Sequence, residues 1–248
     1  DMSVLSFLRR DGRAAGVMAW FPVHGTSMKQ KNHLISGDNK GVASYLFEKW
    51  RGADYGDKSA FVAAFPNGND GDSSPNTAGD LGGTAEWECP KKDQRLCAMF
   101  IGKKQYEKAR QLFEDGGVSI TGDVDYAHAF VDFSNLEIGP EFGEGKTRRT
   151  CPAGIGLSML KGATEDGIGA GFLGEGMSCE AVKPLLSGHL HCPGDVLDCQ
   201  GVKPVVLRTG LMRPFPLTPQ ILPVQIIRLG RVAVAALPAE PTAMAGRR

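Results

Sequence analysis

Hydrophobic and polar positions alternate with turn signals from the first residues. Residues 3–10 and 16–23 are two apolar runs joined by Asp11-Gly12-Arg13, a pattern that predicts a β-hairpin. His24 follows the second run at once, ahead of Gly25-Thr26-Ser27-Met28. After Gly37, the spacing of Val42, Tyr45, Leu46 and Lys49 predicts a helix reaching Trp50, with Asp38 or Asn39 as its N-cap, packed on the hairpin. Residues 59–65 read as a short apolar strand, ended by the turn-forming run from Pro66 to Asp72. Residues 72–97 are polar, Gly-rich and carry two cysteines, which predicts a long stapled loop. A second helix is expected over 103–115, stopped by Gly116-Gly117. Strands are expected over 124–133 and 221–236, on either side of a Gly-rich stretch, 152–176, with no clear period. The last apolar run, Val232 to Leu237, stops at Pro238 and is followed by Glu240. No internal repeat is visible. The order of elements fits an α/β class, a mixed sheet with flanking helices, rather than a bundle or a sandwich.

Length and charge narrow the function classes. A chain of 248 residues can bury a substantial core, and one domain is the default expectation. Lys and Arg total 28 against 28 Asp and Glu, so no basic field draws in nucleic acid, and no nucleic-acid partner is expected. No run approaches the roughly 20 apolar residues that cross a bilayer, and the start at Asp1-Met2-Ser3 lacks a signal-peptide pattern. A chain that starts on Asp and stops on Gly246-Arg247-Arg248, just past a candidate site, reads as a segment of a longer protein. Cysteines stand at 89, 97, 151, 179, 192 and 199, with none of the close pairs of a zinc-binding motif. An even count in turn-rich regions fits disulfides and an oxidising compartment, and Cys89 with Cys97 is the favoured short bridge; six reduced, buried thiols are the alternative.

Three strand ends carry polar chemistry. His24 alone would be an ordinary hydrogen-bonded residue, but Gly25 frees the backbone and Thr26 and Ser27 add hydroxyls. Glu240 is a carboxylate beyond an apolar strand, and His with Glu is a competent pair for zinc at the kind of cleft found at strand ends. The segment from Asn67 to Asn76 does not offer the alternating ligands of a calcium loop, and no G-x-S-x-G elbow occurs in the chain. Its default reading is an Asx-rich turn, although its place after a buried strand would let Ser74 meet His24 and Glu240. Asp123, Asp125, His128 and Asp132 lie on one expected strand, where the two-residue period splits them between faces and argues against a converging metal site. His189 and His191 are expected on the surface.

The run Trp20 to Met28 and the run Leu34 to Gly41 resemble the neutral/alkaline non-lysosomal ceramidase family. Three more segments agree. Gly71-Asp72-Ser73-Ser74-Pro75-Asn76 resembles that family's GDVSPN motif, Thr150-Cys151-Pro152-Ala153 its CPAA segment, and residues 238–248 its PGEFTTMSGRR segment. The resemblance implies part of a catalytic domain over 1–248, without the family's C-terminal immunoglobulin-like domain. It implies a zinc-dependent amidohydrolase that cleaves the N-acyl amide of ceramide to sphingosine and a fatty acid. His24 and Glu240 match two of its zinc ligands and Ser74 its essential serine, while an upstream histidine and a downstream tyrosine have no counterpart here. Ala239 and Ser73 depart from the motifs without removing a reactive group. Ceramide is the implied partner, a membrane surface is compatible with the parent protein, and secretion, a secretory-pathway lumen or the cell surface is the implied location. Two other functional expectations stand beside it: a metal-independent serine amidase using Ser74 with His24 as base, and a catalytically incomplete, lipid-binding relic of the family.

Overall fold

The computed structural model describes residues 1–29, 32–76, 93–162, 179–182, 184, 199 and 205–247. They divide into two compact units. The first holds residues 1–119 and the C-terminal stretch from 239, and the second holds the chain between.

In the first unit, β1 (Ser3–Leu8) and β2 (Ala14–Trp20) form the expected antiparallel hairpin, with Gly12 at φ 82° in its turn. β3 (Val62–Ala64) is shorter than the apolar run around it and pairs parallel to β2, Gly16 opposite Val62 and Met18 opposite Ala64. Between them runs α1 (Asp38–Trp50), completing a strand–helix–strand crossover. Its apolar positions recur at helical spacing, so Ala43, Phe47 and Trp50 share one face and meet Val17 and Ala19 of β2 and Ala63 of β3. Phe47 is fully buried, its ring stacked on Phe61 and met edge-on by Trp50, Tyr106 and Phe113. A buried aromatic of this kind contributes about 1.5–3 kcal/mol through removal from water.

Helix α2 (Gln94–Asp115) corrects the sequence expectation at its start. Residues 94–97, assigned above to the loop, are helical, and the Asp93 side chain caps them by accepting the Arg95 N–H. Gly102 disguised the continuity, because glycine reads as a helix break. It is needed there for close approach: a Cβ would stand 2.6 Å from the Asn39 carbonyl oxygen and from the Val42 Cβ on α1. The expected stop at Gly116, φ 73°, is observed. Cys97 is disulfide-bonded, while Cys89, its expected partner, lies outside the described residues.

The second unit contains β4 (Val124–Asp132), the short strands β5 (Glu137–Ile138), β6 (Arg148–Arg149) and β7 (Ile155–Gly156), and the helices α3 (Leu157–Lys161) and α4 (Cys179–Val182). β8 (Val205–Leu207), β9 (Ile221–Leu229) and β10 (Val232–Ala236) follow. The expected single strand over 221–236 is a hairpin: β9 turns at Gly230, φ 55°, and pairs with β10 from Leu229 opposite Val232. β9 also pairs with β4, giving an antiparallel sheet ordered β10-β9-β4. A Cys151–Cys199 disulfide ties this unit, a pairing not singled out from sequence. A last short helix, α5 (Ala243–Arg247), belongs to the first unit. The mixture of parallel and antiparallel strands with covering helices is the α/β class expected. His189, His191 and residues 163–176 of the Gly-rich stretch lie outside the described residues.

Candidate metal centre

Parallel pairing of β2 and β3 makes both strands finish on the same side, which brings together segments that are far apart in sequence. The Phe21 N–H donates to the Pro66 carbonyl at 3.4 Å, and the His24 N–H to the Ser73 carbonyl at 3.0 Å. The Asn76 side-chain amide then donates to the Thr26 carbonyl at 3.0 Å, so the two loops are fastened along their length.

A buried polar network holds the His24 turn from the other side. Asn39, fully buried at the start of α1, donates to the His24 carbonyl at 2.9 Å and to Ser27 Oγ at 3.0 Å, and accepts from Gln105 of α2 at 2.9 Å. Asp38 was expected to cap the helix, as was Asn39. Instead Gly37 is the N-cap with no side-chain cap bond, and the Asp38 carboxylate turns back to accept the N–H groups of Ser27 and Met28 at 3.1 and 2.8 Å. It does so from φ 50°, a left-handed conformation tolerated by Asp and sustained by these bonds. Two loop N–H groups therefore outcompete the helix terminus for the same oxygen atoms.

Glu240 reaches this place through the C-terminal stretch. The Gly71 N–H donates to the Pro241 carbonyl at 3.1 Å, and Asp72 accepts the Ala243 N–H at the start of α5 at 2.8 Å. Gly71 is required for that contact, since a Cβ on it would collide with the Glu240 carbonyl oxygen.

The outcome is a convergence of three potential ligands. His24 Nδ1 stands 3.4 Å from Asp70 Oδ2 and 3.9 Å from Glu240 Oε2, and one donor atom from each residue lies within 4.8 Å of the other two. Among the described residues this is the one such group of His, Cys, Asp and Glu. Exposure is graded across it: the Asp70 side chain is 3% exposed, His24 21% and Glu240 70%, so the group is closed at its base and open at its rim. Asp70 Oδ2 is buried with no hydrogen-bond partner. Lys40 lies close enough to feel the Asp70 charge, and its ammonium donates to the Phe21 carbonyl at 2.6 Å. Burial pushes the Lys40 pKa down to about 8, against the opposing pull of Asp70.

His24 and Glu240 are thus brought together as expected. Ser74 is on the same fastened loop, one residue past the carbonyl that receives the His24 N–H, and its Oγ accepts the Asn76 N–H at 3.0 Å. Asp123, Asp125, His128 and Asp132 form no such group: the strand is exposed there, and Asp125 faces Arg228 at 3.7 Å instead. Asp70 is the residue missed from sequence. In a run of Asn, Gly and Asp it looks like turn chemistry, and only the parallel pairing of β2 with β3 turns it toward a histidine 46 positions earlier.

The whole chain, residues 1–248, matches the family model described as neutral/alkaline non-lysosomal ceramidase, N-terminal. It belongs to that family. The chain is 42% identical over 250 residues to a neutral ceramidase of Pseudomonas aeruginosa, covering all of this chain and 36% of that protein. It is 36% identical over 273 residues to neutral ceramidase B of Dictyostelium discoideum, covering 38% of it. Its fold is similar to a solved structure described as ceramidase complexed with C2, with a TM-score of 0.77 and 41% identity over 99% of this chain and 37% of that one. The crystal structure of neutral ceramidase from Pseudomonas aeruginosa gives a TM-score of 0.72 at 37% identity, over 99% of this chain and 35% of that chain. The chain thus spans a little over a third of the length of these relatives.

Proposed function

We propose that this chain carries part of the catalytic centre of a zinc-dependent amidohydrolase that cleaves the N-acyl amide of ceramide to sphingosine and a fatty acid. The observation that supports it most is the convergence of His24 and Glu240 on one buried carboxylate with an unpartnered oxygen, in a chain of the ceramidase family. One imidazole nitrogen and carboxylate oxygens are a donor set suited to zinc, whereas calcium and magnesium prefer oxygen alone. His24 and Glu240 would hold the ion, and the resemblance adds a histidine and a tyrosine from outside this chain. Zinc bound there would polarise the amide carbonyl and lower the pKa of a bound water to about 7.

The protein's own residues supply placement. His24 binds as neutral imidazole, its ring fixed because its backbone is held at both ends by Ser73 and Asn39. Glu240, at the exposed rim, lets a substrate approach from solvent. Ser74 hydrogen-bonds the substrate carbonyl or the attacking water rather than forming an acyl-enzyme. Hydrolysis adds water across the amide: the oxygen joins the acyl carbon, the C–N bond breaks, and a proton goes to the departing amine. Leu34 and Ile35, exposed apolar residues on the loop leading into α1, are compatible with a lipid substrate. Residues 1–248 are read as part of one catalytic domain. The Cys151–Cys199 and Cys97 disulfides support a secreted, lumenal or cell-surface location.

Hydrolysis of a fluorescent short-chain ceramide, with and without a zinc chelator, tests this reading. Fatty-acid release that the chelator abolishes and added zinc restores is the expected result. Release untouched by the chelator would overturn it in favour of a serine amidase using Ser74 and His24. No release in a preparation shown to bind zinc would leave the lipid-binding relic.

A further inference from the structure

The zinc reading above assigns two ligands to this chain, and the structure supplies a third donor of the right kind. We propose that Asp70 is itself a metal ligand, so that His24, Asp70 and Glu240 form a three-residue zinc site contained in this chain. The proposal rests on the zinc reading and extends it to a residue outside the family motifs quoted above.

Spacing is the first argument. Zinc bonds of about 2.0–2.2 Å in a tetrahedral shell put neighbouring ligand atoms about 3.3–3.6 Å apart. Nδ1 of His24 is 3.4 Å from Asp70 Oδ2 and 3.9 Å from Glu240 Oε2, which a small movement of the exposed Glu240 side chain would close. The second argument is direction. Nδ1 and Oδ2 are near enough for a hydrogen bond, yet Oδ2 has no hydrogen-bond partner, so the two atoms face a common point without bonding each other.

Burial is the third. An ionised carboxylate oxygen that is out of water and unpartnered is costly, and a buried carboxylate is usually paired or bound to a metal. Lys40 is the nearby cation, but its ammonium is directed to the Phe21 carbonyl. Two carboxylates and a neutral imidazole carry a charge of −2, which a divalent zinc ion neutralises. Three protein ligands with the fourth position open is also the usual composition of a catalytic zinc site.

The test is metal binding by the full chain, with zinc alone as the probe, followed by calorimetry and by competition with a chromophoric chelator. The chain should bind one equivalent. Asp70→Asn, which keeps the shape and removes the charge, should weaken zinc binding by more than about 100-fold, beyond the loss typical of residues that only support a ligand. His24→Ala and Glu240→Gln should do the same. If Asp70→Asn stays within about threefold of the wild type while the other two lose binding, the inference fails and the two-ligand reading stands. If the wild type binds no zinc, both fail. Circular dichroism without metal checks folding of each variant. If Asp70→Asn does not fold, a zinc-soaked crystal of the wild-type chain decides. Asp70 Oδ2 at about 2.0–2.2 Å from the ion supports the proposal. A hydrogen bond from His24 Nδ1 to Asp70, with the ion on Nε2, overturns it.

Discussion

His24 and His128 both follow or occupy strands, and both have aspartates close by in sequence or in space. Their surroundings differ. His128 lies on β4, an exposed strand of an antiparallel meander, with Phe130 edge-on to its ring at 5.2 Å and Gln225 opposite on β9. Its neighbours Asp123 and Asp125 project to the other face by the two-residue period. His24 lies past the end of a strand whose partner is parallel, and its carboxylates come from two other segments, fastened to it by backbone hydrogen bonds. Closeness in sequence scatters donors along a strand, whereas parallel pairing with loops locked behind it collects them. The site in the first unit is therefore as sound as the core beneath it, and the most direct way to break the comparison is to damage each region in turn.

The largest effect should come from Phe47→Ala. This ring is fully buried among five aromatic neighbours, and the truncation should cost about 3–5 kcal/mol in denaturant unfolding, enough to remove zinc binding along with the fold. Phe130→Ala on the exposed β4 face should change stability by less than about 0.5 kcal/mol. Similar costs for the two would show that β4 is no less packed than the core under α1.

Asn39→Ala should come next. It leaves the Gln105 amide, Ser27 Oγ and the His24 carbonyl without their common partner, an expected loss of about 2 kcal/mol. Zinc affinity should fall as well, by about 10-fold, because the His24 turn is no longer held. A stability loss with unchanged zinc affinity would mean that the network supports the helices but does not place the ligand. Asp72→Ala removes the acceptor for the Ala243 N–H and should cost about 1 kcal/mol, with a smaller loss of zinc affinity through Glu240. Asp125→Ala, which breaks only an exposed pair with Arg228, should cost less than about 0.5 kcal/mol.

The division between what could and could not be read from sequence follows the same physical line. The hairpin, α1, the stop at Gly116 and β4 are set by local periodicity and turn residues, and the chain shows them directly. His24, Glu240 and Ser74 were legible from their places in motifs and after apolar strands, and the first two converge. What escaped depends on contacts distant in sequence. Gly102 looked like a boundary because its need for space comes from α1, not from α2. Asp38 looked like a cap because the competing N–H groups belong to residues 27 and 28. Asp70 looked like a turn residue because β3 pairs parallel rather than antiparallel to β2, which no pattern within 59–65 specifies. The hairpin of β9 and β10 was the one local error: Gly230-Arg231 is a sufficient turn signal inside a long apolar run.

The smallest expected effect concerns Lys40, the charged residue beside Asp70. Burial lowers its pKa from 10.5 to about 8, so in the folded protein the ammonium releases its proton more readily than in the unfolded chain. Between those two values the unfolded state binds more protons, and stability contributed by this residue must rise as pH rises through the window. Below about pH 8 both states hold the proton, and the penalty for burying the charge is present in full. Metal-free chain should therefore gain stability between pH 8 and 10.5, read from urea midpoints, and Lys40→Met should flatten that gain. The attraction to Asp70 and partial solvent access keep the change small. Asp70→Asn removes the attraction and should shift the onset of the gain to lower pH, whereas no shift would show that the two charges are screened from each other.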